Sequence, residues 1–99
     1  EDLRTQTVQE YAFQHSPVRI GRNPLNDLAL DLPFVSQWHS VVQFDQHQTV
    51  YYDLGATNAT SVNGQRLQKN QPIAATPETE FRITSLRITM GATFRMPSP

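Results

Sequence analysis

The first residue that bears chemistry stands at the end of a strand-like run. Val18-Arg19-Ile20-Gly21-Arg22 alternates in polarity and closes on a glycine, which places Arg22 at a strand tip. Further on come Ser36, Gln37 and His39, then Thr57 and Asn58. One guanidinium among several neutral donors suits an anion such as a phosphate ester. Arginine gives charge-assisted, bidentate hydrogen bonds, and hydroxyl, amide and backbone N–H groups fill the remaining lone pairs. The same residues contain a Ser-His-Asp set, Ser36, His39 and Asp53. Ser36 lacks the Gly-x-Ser-x-Gly elbow of a nucleophile, and such sets arise by chance in most chains. His15, His39 and His47 lack zinc-site spacing, and no cysteine assists them. Neither a GxxxxGK[ST] nor a GxGxxG loop is present. The expectation is no catalytic residue, no metal and no cofactor.

Composition narrows the partners. At 99 residues, one domain spanning residues 1–99 is expected, with a modest core. The formal charge of −1 gives no global field for nucleic acid or an anionic membrane, so anion binding has to be local. Aromatic residues are scattered without a basic stripe in the sequence, which argues against a nucleic-acid platform. No apolar run approaches the about 18 residues of a membrane span, so no membrane insertion is expected. The absence of cysteine fits a cytoplasmic location. A start at Glu1 without methionine is read as a domain cut from a longer, multidomain protein.

Positioning these residues falls to strands. Period-two alternation recurs at Leu28 to Leu32, Val41 to Phe44, Val50 to Leu54, Leu86 to Met90 and Phe94 to Met96, and no helical period is sustained. Short strands broken by turn residues predict an all-β sandwich or barrel. The expected strands are Leu3–Phe13, Val18–Gly21 or Arg22, Asp27–Asp31, His39–Phe44, Thr49–Leu54, Ser61–Val62 and Gln65–Leu67. Asn63-Gly64 is a type I′ hairpin signal, because that turn needs positive φ at both positions. Gln68 to Thr79 reads as loose, and Phe81–Ile83 with Leu86–Met90 as two strands or one bent strand. The Leu32 to Trp38 loop is apolar enough to pack partly onto the sandwich. Periodicity alone leaves open whether the loops holding Arg22, Ser36 and Thr57 meet.

Gly21-Arg22, then Ser36-x-x-His39, then the block from Asp53 through Leu54-Gly55-Ala56-Thr57-Asn58-Ala59-Thr60-Ser61-Val62-Asn63 to Gly64 resemble the forkhead-associated (FHA) domain signature in order and spacing. The resemblance runs from about Val18 to the C-terminus. It implies a β-sandwich of about eleven strands with ligand loops at one end, binding phosphothreonine peptides. On it, Arg22 grips the phosphate and the Ser36 hydroxyl helps hold it. Gln37 joins them, Thr57 lines the pocket, and Asn58 bonds the peptide main chain. Gly21, His39, Asn63 and Gly64 support the site, with His39 propping the loop rather than touching ligand. Residues beyond the phosphothreonine would be read by the Asn23 to Asn26 loop and the area near Asn58 and Thr60.

Three positions depart from the pattern. Gln37 stands where arginine, lysine or asparagine is frequent, so weaker phosphate affinity is expected, with Arg22 as the only cation of the site. Ala59 replaces a common glycine, which matters only if its φ is positive. Ala56 replaces a common serine. The implied function is a non-enzymatic module reading phosphothreonine in a protein partner, downstream of a Ser/Thr kinase. The alternative is a phosphate-independent interaction or assembly domain on the same fold.

Overall fold

The structure is a computed structural model that describes residues 9–90. Nine strands fall in this span: β1 (Val18–Gly21), β2 (Leu28–Ala29), β3 (Ser40–Phe44), β4 (Thr49–Asp53), β5 (Ser61–Val62), β6 (Gln65–Arg66), β7 (Ile73–Ala75), β8 (Glu80–Ile83) and β9 (Leu86–Thr89). They form a five-stranded sheet ordered β2-β1-β3-β4-β7 and a four-stranded sheet ordered β6-β5-β8-β9. The described residues are all-β, as the alternation predicts, and no helix among them is long and apolar enough to cross a membrane.

The core lies between the sheets. Val18, Ile20, Val42 and Tyr51 from the first sheet meet Leu67 and Phe81 from the side of the second. The Tyr51 and Phe81 rings stack with centroids 4.2 Å apart, adding ring–ring attraction to the area they bury. β8 shows the expected two-residue period, with Phe81 and Ile83 buried and Glu80 and Arg82 exposed. A smaller cluster of Val35, Ile83 and Leu86 holds down the apolar loop before β3. Val35 is 1% exposed, so burial of this side chain fixes the segment that carries Ser36 and Gln37.

Several boundaries move. The expected strand Asp27–Asp31 shortens to Leu28–Ala29, a parallel edge pairing with β1. Asp27 uses its carboxylate instead, accepting the Arg19 N–H at 2.8 Å, and that bond holds its pKa below the ordinary value. β7 emerges inside the stretch read as loose, pairing antiparallel with β4. Its Ile-Ala-Ala sequence sits between Pro72 and Pro77 and has no alternation of its own. What makes it a strand is the open edge of β4. β8 and β9 are two strands of one hairpin that turns at Thr84-Ser85, with Thr84 at φ 55°. Part of the expected first strand and the Phe94 to Met96 alternation lie outside the described residues. The described part of the first segment, from residue 9 to 13, is not in a strand.

The turns follow local chemistry. Asn63 and Gly64 take φ 53° and 77° between the paired Val62 and Gln65, as a type I′ hairpin demands. The Asp45 carboxylate accepts the N–H groups of His47 and Gln48, and these bonds lower its pKa.

Candidate functional site

Three loops meet around Ser36. The Arg22 N–H donates to the Ser36 carbonyl at 2.9 Å, and the Thr57 N–H donates to Ser36 Oγ at 3.2 Å. Asn58 Nδ2 donates to the Phe34 carbonyl at 3.0 Å. The predicted residues Arg22, Ser36, Gln37, Thr57 and Asn58 thus belong to one cluster at one end of the sandwich, which settles what periodicity left open. Arg22 and Ser36 are partly buried, whereas Gln37, Thr57 and Asn58 are exposed.

Each loop has an internal reason for its shape. Asn26 is buried, and its Nδ2 donates to the carbonyls of Asn23 at 2.9 Å and Gln37 at 2.8 Å. Its Oδ1 has no hydrogen-bond partner among the described residues. The Asn23 N–H also donates to the Gln37 carbonyl, at 3.2 Å. These bonds staple the Arg22 loop to the Gln37 loop. Gly21 permits the approach: a Cβ there would sit 2.9 Å from the Gln37 carbonyl carbon, and nearer still to its oxygen. The glycine is required by this close packing, not by a positive φ or a turn, since Gly21 is the last residue of β1.

The Thr57 loop is shaped by Asp53, which is 0% exposed. One carboxylate oxygen accepts the N–H groups of Gly55 and Ala56 at 2.7 and 2.9 Å. The other accepts the Thr60 N–H at 2.9 Å and the Thr60 hydroxyl at 3.0 Å. A buried carboxylate survives only when its lone pairs are filled, and here four donors fill them. Thr60 is also fully buried, so Thr60 and Asn26 are internal to the loops rather than part of a reading surface. Two large hydrophobic side chains are open to solvent nearby in sequence: Leu25, next to Asn26, is 73% exposed, and Trp38, next to Gln37, is 43% exposed. Ala59 is not among the residues with positive φ, so alanine carries no left-handed strain there.

His39 is fully buried, and its Nε2 faces the Asn58 carbonyl at 2.8 Å. A carbonyl only accepts, so this nitrogen carries the proton. Nδ1 lies 2.7 Å from Ser40 Oγ and 3.6 Å from Asp53 Oδ2. Both ring nitrogens are therefore committed away from Ser36, and Ser36, His39 and Asp53 do not form a triad. Tyr51 extends the same buried network, its hydroxyl lying 2.7 Å from both Ser40 Oγ and Thr60 Oγ1.

Two features escape sequence reading. With the Gln37 amide turned so that its oxygen faces Arg22, that oxygen accepts from Nε at 3.2 Å and Nη2 at 3.1 Å. Arg66 Nη2 donates to the Thr57 carbonyl at 3.2 Å. Arg22 is consequently not the only cation beside these loops. The signal for Arg66 was the Asn63-Gly64 hairpin, which pairs Ser61 with Arg66 and returns β6 toward Thr57.

The family profile for the FHA domain matches residues 18–84, more than half of the chain. The chain belongs to the FHA domain family. Solved FHA structures share its architecture. One comes from work on phosphothreonine-dependent FHA domain interactions; it is 24% identical with a TM-score of 0.70, covering 80% of this chain and 79% of the other. Mycobacterium tuberculosis EmbR, in complex with a low-affinity phosphopeptide, is 26% identical with a TM-score of 0.72 over 87% of this chain. This FHA domain covers 22% of the EmbR chain. The N-terminal FHA domain of S. cerevisiae Rad53p, in complex with a phosphothreonine peptide, is 26% identical with a TM-score of 0.59, covering 67% of this chain and 54% of the other. No curated protein sequence matches the chain.

Proposed function

We propose that this FHA domain is a non-enzymatic module that reads phosphothreonine in a protein partner, downstream of a Ser/Thr kinase. The observation that carries this reading is the junction at Ser36, where the Arg22 N–H meets the Ser36 carbonyl and the Thr57 N–H meets its hydroxyl oxygen. The junction holds a partly buried guanidinium beside two exposed polar side chains without spending the Ser36 hydroxyl proton. A phosphate dianion would take charge-assisted bonds from Arg22 and a further bond from that hydroxyl. Gln37 would turn its amide N–H groups to the same anion, and Thr57 would form the lip. Asn58 donates its Nδ2 inward to Phe34, which leaves Oδ1 to accept a peptide N–H. The phosphothreonine peptide in complex with the Rad53p domain supports the same use of the fold.

Titration of a phosphothreonine peptide library against wild type and Arg22→Ala tests the proposal. Loss of a hydrogen-bonded charge of this kind costs about 1.5–3 kcal/mol, or roughly a 10- to 100-fold rise in Kd. Binding that ignores phosphatase treatment, or survives Arg22→Ala, would instead mark a phosphate-independent interaction domain.

A further inference from the structure

The outward face of the four-stranded sheet carries a row of arginines. Strand register sets Arg66 opposite Ser61, Ser61 opposite Arg82, and Arg82 opposite Arg87. Directly opposed residues share a face, and the exposure of Glu80 and Arg82 against burial of Phe81 and Ile83 shows that this face is the outer one. Like charges directly opposite each other destabilise a sheet, and Arg82 and Arg87 are such a pair. Glu80 is a carboxylate beside them, and Arg87 Nη1 meets it at 3.3 Å. The Arg82 side chain is exposed and has no hydrogen-bond or ion-pair partner among the described residues. It borders a shallow polar concavity of about 120 Å³, lined also by Ser61, Asn63, Gly64 and Glu80. An opposition of charge that folding does not need points to use by a ligand.

The row is continuous with the Ser36 cluster, because Arg66 holds the Thr57 carbonyl. Three strand spacings separate Arg66 from Arg87, roughly 14 Å, which an extended peptide spans in about four residues. We propose that Arg66, Arg82 and Arg87 form a second anion surface, which receives an acidic segment lying within about six residues of the phosphothreonine in the same ligand. The proposal rests on the phosphothreonine reading for its ligand, and on the row alone for its charge. Nucleic acid is the poorer occupant: Glu80 stands on the same face, the chain carries a net charge of −1, and a duplex binder neutralises on the order of 6–10 phosphates.

The test compares phosphothreonine peptides that share one core. One has glutamines on both flanks, one has glutamates before the phosphothreonine, and one has glutamates after it. One acidic peptide should bind about three- to tenfold tighter than the neutral peptide, the range that a few exposed ion pairs supply. The advantage should shrink in high salt and vanish in the Arg82→Gln, Arg87→Gln double variant. Equal affinities, or an acidic advantage that survives the double variant, overturn the proposal. Tighter binding of a mixed-sequence DNA duplex than of the acidic peptide overturns it too. An unphosphorylated acidic peptide, titrated while Arg Nε–H resonances are followed, separates this idea from the phosphothreonine reading. Shifts confined to Arg66, Arg82 and Arg87 support the row even where phosphate adds nothing, and unmoved resonances reject it.

Discussion

His39 Nε2 donates to the Asn58 carbonyl across 2.8 Å, from a ring with no solvent exposure. The two residues are thereby one structural unit with two different jobs. The ring supports the Asn58 backbone from inside, while the Asn58 side chain remains exposed. His39→Ala should leave a cavity and take away the ring's bond to the Asn58 carbonyl, lowering stability by about 2–4 kcal/mol. Asn58→Ala should leave the melting temperature within a few degrees of wild type, and weaken phosphopeptide binding about 5- to 30-fold. Thermal melts beside calorimetric titrations separate the two effects. An unchanged melting temperature for His39→Ala contradicts the supporting role.

Gly21 and the Gln37 carbonyl share space that a methyl group would need. Gly21→Ala forces either β1 or the Gln37 loop to move, because the obstruction is backbone rather than a flexible side chain. A loss of about 1–3 kcal/mol is expected from such overpacking. The same shift pulls the Asn26 and Gln37 staple apart, so phosphopeptide affinity should fall with stability. A denaturant melt at wild-type midpoint would show that the loops absorb the methyl freely.

Gln37 sets the field around Arg22. An amide oxygen on the Nε and Nη2 edge leaves the guanidinium charge intact. Gln37→Glu is nearly isosteric and places a carboxylate against the same edge. It should cancel the local charge, repel phosphate, and raise Kd for a phosphothreonine peptide more than about tenfold. Gln37→Arg should lower Kd by supplying a further cation next to Arg22. Calorimetric titration of the three proteins should give the order Arg, Gln, Glu from tightest to weakest, and the reverse order contradicts this account.

Tyr51 predicts an alkaline limb of stability. Burial is the largest cause that pushes its hydroxyl up to about 12 from 10.0; the Asp53 charge adds to the rise, and hydrogen bonds with Ser40 and Thr60 oppose it. The folded pKa is raised, so its contribution is complete below the unfolded value. Above that, the unfolded chain releases its proton first, and stability is lost as pH climbs from about 10 toward 12, on the order of 2–3 kcal/mol in all. Tyr51→Phe should be less stable at neutral pH, because it abandons its bonds to Ser40 and Thr60. The gap to wild type should narrow as pH rises from about 10 toward 12 in thermal melts. A gap that stays constant rules out Tyr51 as the source.

Much of this domain is written locally. The alternation of Val18 to Gly21 and of Phe81 to Ile83 specifies strands because one face of each must be buried. Asn63-Gly64 specifies its hairpin because few residue pairs accept two positive φ angles. Gly21-Arg22, Ser36-x-x-His39 and the block from Asp53 to Gly64 marked the family and the residues that now stand together at Ser36. Tertiary structure alone decided the rest. Ile73–Ala75 has no pattern of its own and became a strand because the edge of β4 lay open to it. Thr60 and Asn26 look like loop-surface residues in one dimension, yet they are interior because Asp53 and the Gln37 carbonyl draw them in. Arg66, Arg82 and Arg87 are scattered along the chain and form a row only through strand register. Local propensity reaches a few residues, whereas these outcomes depend on which distant backbone and side-chain groups arrive at the same place.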